Sequence, residues 1–237
     1  MPRRVHVHQI SPGRIELDQR NTHYLRDVLR LKVGAELELF DDAGQAASAR
    51  IIEVTPRQII VEIEQARTIQ AASWQWSIAS AVPKGNRADW MVEKLSEFGA
   101  ASWIPLITAR SVVHPESSNK TDRWQRIAEE SARQCGRNTV MRIEPLEPLA
   151  QVVQRCSESS FQGFCLHPGG RAVSEALTGA AHQSHAMFFI GPEGGWTTEE
   201  LELMRSEQIH PFALAATILR IETAAIAVAA IAQMHAM

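Results

Sequence analysis

The chain predicts an α/β protein in two unequal parts, a small β-barrel domain over residues 1–70 and a parallel sheet flanked by helices over 73–237. Three observations carry this. Its 237 residues exceed one typical domain of about 100–200. The first part holds short segments that alternate apolar and polar residues between turn-forming pairs. From Trp74 onward, apolar strand-like runs alternate with amphipathic helical stretches, the pattern of a parallel α/β sheet.

In order, Val5 to Ile10 alternates as a strand, and Thr22 to Leu31 is amphipathic, with Tyr24, Leu25, Val28 and Leu29 on one side and Lys32-Val33-Gly34 as its stop. Glu36 to Phe40, Ala47 to Val54 and Ile59 to Ile63 are strands, with Asp41-Asp42-Ala43-Gly44 and Thr55-Pro56 as turns. The polar stretch Glu64 to Ser73 reads as the linker. Trp74 to Val82 and Ser102 to Ile107 read as strands on either side of a helix over Ala88 to Phe98 that stops at Gly99. Thr121 to Cys135 has Trp124, Ile127, Ala128, Ser131 and Cys135 at helical spacing with Gly136 at the end, and its other face shows Arg123, Arg126, Glu130, Arg133 and Arg137. Pro148 to Cys156 is helical, and Phe161 to His167 and Ala186 to Ile190 are strands.

A composition with 45% hydrophobic and 22% charged residues excludes a disordered or fibrous chain. The longest apolar run, Ala224 to Ala232, is far short of the roughly 20 residues that span a bilayer, so no membrane anchor is expected. Met1-Pro2-Arg3-Arg4-Val5-His6 has no apolar stretch behind its arginines, which predicts a cytoplasmic protein without a secretory leader. Cys135, Cys156 and Cys165 are widely spaced with no C-x-x-C, and read as reduced packing residues. The histidines, including His6, His8, His182 and His185, form no ligand pattern, so no metal is expected. The net charge of −3 hides uneven regions: seven basic against three acidic residues over 1–35, ten against seven over 84–142, and four against ten from 143 onward. The first two could meet a phosphate backbone; ordinary solvated faces would look the same.

Two segments carry chemistry. Ile190-Gly191-Pro192-Glu193-Gly194-Gly195-Trp196 takes an apolar strand through a glycine turn into a helix, with Thr197 and Glu200 spaced as a capping box. Glycines there let a backbone approach a ligand at the carboxyl end of a parallel strand. A phosphate is the wrong ligand, because the phosphate-loop lysine and the G-x-G-x-x-G spacing are missing and Glu193 would repel it, which disfavours a nucleotide-phosphate enzyme. A cationic or neutral polar ligand fits better, and a bare turn without a ligand has the same spacing. The second segment, Phe212 to Ala225, leads from a short strand through small residues to Ile218-Leu219-Arg220 and a helix opened by Thr223 that is apolar nearly all round. Arg220 and Glu222 between apolar neighbours are either a structural ion pair or functional side chains.

These segments, together with Pro2-Arg3, His23 to Leu31, Lys84-Gly85, Glu93 to Gly99, Arg110-Ser111, Glu130 to Arg137 and Leu166-His167-Pro168, resemble the RsmE family. Its members are 16S rRNA uridine N3-methyltransferases of the SPOUT superfamily that use S-adenosylmethionine (SAM). The chain departs from the family pattern at Ala215 and Thr217, where a glycine and an arginine are usual, and at Ile221, where a threonine is usual. The resemblance implies a PUA-like β-barrel that helps bind RNA, then a SPOUT domain with a carboxyl-terminal trefoil knot. It implies methylation of N3 of a uridine of small-subunit rRNA, uridine 1498 in the family, on the 30S ribosomal subunit by a homodimer, with S-adenosylhomocysteine as product and no metal.

By the same resemblance, Leu166, His167, Ile190, Gly191, Gly194, Gly195, Leu214, Ile218 and Leu219 hold the cofactor. Arg220 orients the uridine or its phosphate, and Glu222 or Glu193 accepts the N3 proton. Arg3, Arg26, Arg30 and Lys32, with Lys84, Arg110, Arg133 and Arg137, are the RNA contacts. The apolar face of Ala224 to Met234 is the expected subunit contact. A SPOUT methyltransferase acting on another RNA such as a tRNA, and a catalytically weak RNA-binding module, are the competing readings.

Overall fold

The computed structural model describes residues 3–69, 74–113, 118–159, 161–173 and 185–236. They form two compact units, Met1–Ala71 with Ala132–Val140 and Ala72–Ser131 with Met141–Met237. Pro2 of the resemblance, His182 and the last four residues of the expected linker lie outside the described residues.

The first unit is a five-stranded mixed sheet in the order β1-β3-β4-β5-β2, the half-barrel form of the expected PUA-like domain. β1 (Arg4–Val7) runs parallel to β3 (Glu36–Asp41). β4 (Gln45–Val54), β5 (Ile59–Thr68) and β2 (Arg14–Glu16) add antiparallel pairs. Val5, Leu37, Leu39, Ala49, Ile51, Ile59 and Val61 fill its core from alternate strand positions. The buried Asp41 shapes the turn before β4 by accepting hydrogen bonds from the Ala43 (3.0 Å) and Gln45 (2.9 Å) amides, and it takes Ile10 N–H (2.9 Å) as well.

Two expectations change in this unit. The helix expected over Thr22–Leu31 begins earlier, as α1 (Gln19–His23) capped by Asp18, and passes into a π-helical turn over Tyr24–Val28. Leu25 and Leu31 both reach the core from this segment, and Arg30 between them takes φ +52°, a conformation that ordinary side chains rarely adopt. Of the described residues of the expected linker, Glu64 to Thr68 are strand, because β5 continues through Thr68 and pairs with Gln45–Ser48. Its outer half is exposed, so its polar composition carries no sign of the backbone ladder that orders it.

Segment 132–140 joins this unit through Arg4. The buried Arg4 guanidinium donates to Glu38 (2.9 Å), to the Arg137 carbonyl (2.6 Å) and to Asn138, and lies over the Phe40 ring. Arg133 lies 4.0 Å over the Tyr24 ring.

The second unit is a parallel sheet in the order β12-β10-β11-β6-β7-β8, with β9 also on β7. Its strands are β6 (Gln75–Ala81), β7 (Ser102–Ile107), β8 (Arg142–Ile143), β9 (Glu147–Pro148), β10 (Phe161–Ala172), β11 (His185–Ile190) and β12 (His210–Ala213). The helices are α2 (Arg87–Phe98), α3 (Ser118–Cys135), α4 (Leu149–Glu158), α5 (Thr198–Ser206) and α6 (Ile221–Ala236). Gly99 ends α2 at φ +103°, as a left-handed cap needs. Phe164 stacks on Phe188 and both meet Phe212 edge-on, which locks β10, β11 and β12 into one aromatic layer. β10 runs past the expected His167 to Ala172, with its register to β12 broken between Leu166 and Arg171. α6 opens at Ile221, two residues before the expected Thr223. β2, β8 and β9 are too short for any periodicity to announce them.

β10 separates β11 from β12, so the chain passes over an earlier strand between β11 and β12. Crevices at the carboxyl ends of strands in such sheets are where α/β proteins bind ligands. No helix among the described residues is long and apolar enough to cross a membrane.

Candidate active site

The carboxyl ends of β10, β11 and β12 surround a cleft of about 370 Å³. The turn after β11 is built around Trp196. A Cβ on Gly191 would meet the indole at 2.9 Å, so only glycine lets this buried ring lie against the strand end. The indole N–H then donates to the Leu166 carbonyl (3.1 Å), tying the turn to β10. Gly195 turns the chain at φ +71° and donates to the Pro192 carbonyl (2.8 Å).

The loop after β7 braces this turn from the other side. Arg110 donates to the Gly194 carbonyl (2.6 Å) and the Trp196 carbonyl (3.4 Å), and Ala109 N–H donates to Glu200 (2.8 Å). The expected capping box is present: Thr197 accepts from Glu200 N–H (3.2 Å), and Glu200 accepts from Thr197 N–H (2.9 Å). Glu199 in the same first turn is held below the usual carboxylate range by its own backbone amide and by the Thr197 hydroxyl.

The cleft collects all nine residues expected to hold a cofactor, from Leu166 and His167 through Ile190, Gly191, Gly194 and Gly195 to Leu214, Ile218 and Leu219. Glu193 lines it too, with an exposed carboxylate that makes no hydrogen bond or ion pair with a described residue. Ala215 and Thr217, two of the departures, are exposed and line the cleft. Trp196 is the functional residue that the sequence reading misses, and a tryptophan directly after the turn glycines is the signal that points to it. Strand-end backbone, an apolar wall from Leu214, Ile218 and Leu219, and one free carboxylate suit a flat-ringed ligand carrying positive charge.

Arg220 and Glu222 are elsewhere. Along the segment after β12, Leu219, Ile221 and Ala224 face the cleft, whereas Arg220, Glu222 and Thr223 line a second groove with Lys84, Arg87 and Trp90. Of the two readings of the pair, an ion pair exists, but its partner is Arg87: the buried Glu222 accepts from Arg87 at 3.3 Å. Arg220 is exposed and makes no ion pair with a described residue.

The expected RNA contacts disperse. Arg110 is a wall of the cleft. Arg26 is occupied by Asp27 (2.7 Å) and by the Thr55 and Pro56 carbonyls, and its hydrogen bonds hold the exposed Asp27 carboxyl down at about 2. Arg3, Arg30, Lys32 and Lys84 are exposed. Arg133 rests on Tyr24, and Arg137 donates to Thr139 (3.2 Å), with burial lowering its pKa. Burial raises the Cys156 thiol to about 11 and the Cys165 thiol to about 12, as befits packing residues. Cys135 is exposed, so that reading fails for it: it closes α3 on a solvated face. Among the described residues no cluster of His, Cys, Asp or Glu is arranged to hold a metal ion.

Comparison with known proteins places this geometry. An RNA methyltransferase domain family matches residues 70–233, and an RNA methyltransferase PUA domain family matches residues 17–64. The ribosomal RNA small subunit methyltransferase E of Bacillus subtilis is 30% identical over 85% of this chain and 82% of its own. A Legionella pneumophila protein solved in complex with SAM superposes with a TM-score of 0.88 at 28% identity, covering 99% of this chain and 98% of its own. The ribosomal RNA small subunit methyltransferase E of Neisseria gonorrhoeae, solved bound to SAM, superposes with a TM-score of 0.86 at 27% identity, covering 99% and 97%.

Proposed function

Because the chain belongs to the ribosomal RNA small subunit methyltransferase E family, we propose that it transfers a methyl group from SAM to N3 of a uridine in small-subunit ribosomal RNA, in the cytoplasm and on the 30S subunit. The observation that carries the reading is the cleft at the ends of β10, β11 and β12, whose lining suits SAM by three independent features. Its size lies within the about 300–1,000 Å³ of small-molecule sites. Leu214, Ile218 and Leu219 offer an apolar wall to an adenine ring. Glu193 offers negative charge to a cationic ligand where a phosphate would be repelled. SAM supplies an electrophilic methyl group on its sulfonium.

The chain's own residues then have three tasks. The braced turn from Gly191 to Trp196 fixes the cofactor, so that positioning supplies much of the rate. Arg220, whose exposed side chain makes no ion pair with a described residue, orients the uridine or its phosphate and stabilises negative charge developing on the base. The N3 proton needs an acceptor. Glu222 is already engaged by Arg87, which leaves the Glu193 carboxylate as the acceptor.

In this reading residues 1–70 help to bind RNA, and 73–237 carry transfer and dimerise through the apolar face of α6, where Met234 is 76% exposed. The family's trefoil threading of the carboxyl-terminal part belongs to the same proposal.

Transfer of labelled methyl from SAM into small-subunit particles, naked rRNA and tRNA, followed by nucleoside analysis, tests the substrate. N3-methyluridine in the particles is expected, and transfer confined to tRNA would overturn the assignment. Arg220→Ala should lower transfer about a hundredfold while leaving SAM affinity within about twofold. An equal loss of both would make Arg220 structural.

A further inference from the structure

Of the six tryptophans, five are no more than 8% exposed, whereas Trp90 in the first half of α2 is 48% exposed. Its indole N–H makes no hydrogen bond with a described residue. A single exposed ring is ordinary on a protein surface, so what matters is what stands beside it. Trp90 borders the groove of about 640 Å³ that also holds Lys84, Arg87, Arg220 and Glu222.

The charges of this groove do not cancel. Glu222 is neutralised by Arg87, so Lys84 and Arg220 remain as two cations without an ion-pair partner among the described residues. An aromatic face beside uncompensated cations is the combination that holds single-stranded nucleic acid, with the ring stacking a base and the cations meeting phosphates. A second copy of the chain is the poorer occupant, since it would have to bury Lys84, a residue type depleted at protein interfaces, with no free carboxylate facing it among the described residues. The groove also shares a wall with the cleft. Leu219 and Ile221 line one side, and Arg220 and Glu222 line the other.

We propose that Trp90 stacks a base of the single-stranded RNA flanking the methylated uridine, with Lys84 on an adjoining phosphate, Arg220 on the target uridine between groove and cleft, and the Arg87–Glu222 pair setting the groove floor. The inference rests on the methyltransferase reading, and it makes Trp90 a positioning residue for RNA alone.

Because the other five tryptophans are buried, Trp90 is the one a bound oligonucleotide can reach, and the red edge of the emission reports on it. A uridine-containing single-stranded RNA oligonucleotide of about ten nucleotides should quench the exposed emission of the full chain without SAM. Trp90→Phe should abolish that quenching yet keep RNA affinity within about threefold, because phenylalanine still stacks. Trp90→Ala should raise the KM for small-subunit rRNA about tenfold, with kcat and SAM affinity unchanged. Lys84→Gln should reduce the slope of log affinity against log salt by about one.

Quenching that survives in Trp90→Phe overturns the proposal, as does an unchanged KM in Trp90→Ala. Loss of SAM affinity in parallel with RNA affinity, or a changed oligomeric state with RNA affinity intact, would make Trp90 a structural or subunit-contact residue. Should Trp90→Ala fail to fold, the Phe variant decides alone. A wild-type chain that binds the oligonucleotide but transfers no methyl group breaks the methyltransferase reading and leaves the stacking result standing.

Discussion

The cleft and the groove on either side of Leu219–Ala224 are made in different ways. The cleft is shaped mainly by backbone and by the absence of side chains, with strand ends, turn carbonyls and a glycine against which Trp196 can lie. The groove is made of long side chains that carry charge and one aromatic ring. A site made by exclusion fails by steric contact, and a site made by charge fails gradually and with a salt dependence. This difference in construction suits the two ligands proposed, one small and held close, the other an extended polyanion.

The most damaging change to the cleft should be Gly191→Ala. The new methyl would sit 2.9 Å from the buried Trp196 indole, which cannot retreat without losing its bond to Leu166. Overpacking of this kind costs about 1–3 kcal/mol, so SAM affinity by calorimetry should fall about tenfold to a hundredfold with RNA affinity spared. A drop in RNA affinity of the same size would erase the distinction between the two recesses.

Arg87→Ala should come next. It leaves a buried carboxylate without its partner, and because Arg87 is 40% exposed the loss should be about 1–2 kcal/mol by chemical denaturation, below the figure for a fully buried pair. Glu222→Gln combined with Arg87→Ala should cost less than the sum of the single changes, since the two groups act as one unit. Additivity would show that the pair does not organise the groove.

Arg110→Ala should lower SAM affinity by up to about tenfold by releasing the Gly194 and Trp196 carbonyls, with no change in the salt dependence of RNA binding. A flattened salt slope would return Arg110 to the RNA contacts. The smallest effect should be Thr197→Ala, about 1 kcal/mol of stability from the lost cap, read as a lowered Tm.

Much of the second unit was legible in the sequence. Ser102–Ile107 has the expected ends, and α2 closes at Gly99, because burial on one face writes its period into neighbouring residues. The capping box of Thr197 and Glu200 was readable for the same reason, as both partners lie within one turn. The residues expected at the cofactor come together because Leu166 and His167 within β10, Ile190 at the end of β11 and Leu214 just after β12 lie on three neighbouring parallel strands of one sheet. The outer half of β5 was not legible, since both of its faces are solvated and its order comes from pairing with β4. Nor was the π-helical turn at Tyr24–Val28, whose spacing a helical period resembles closely.

Local spacing was enough to read the longer strands and helices of the second unit and the glycine turn with its capping box, though not β8 or β9. Those are properties of residues a few positions apart. Only the tertiary structure decided that Glu222 pairs with Arg87, 135 positions away, that Arg110 braces the Gly194 turn, and that Arg4 draws 132–140 into the first unit. A charged side chain carries no record in its local spacing of which distant partner it will meet. That choice is settled when burial brings a desolvated carboxylate or carbonyl within its reach and leaves it no water to turn to.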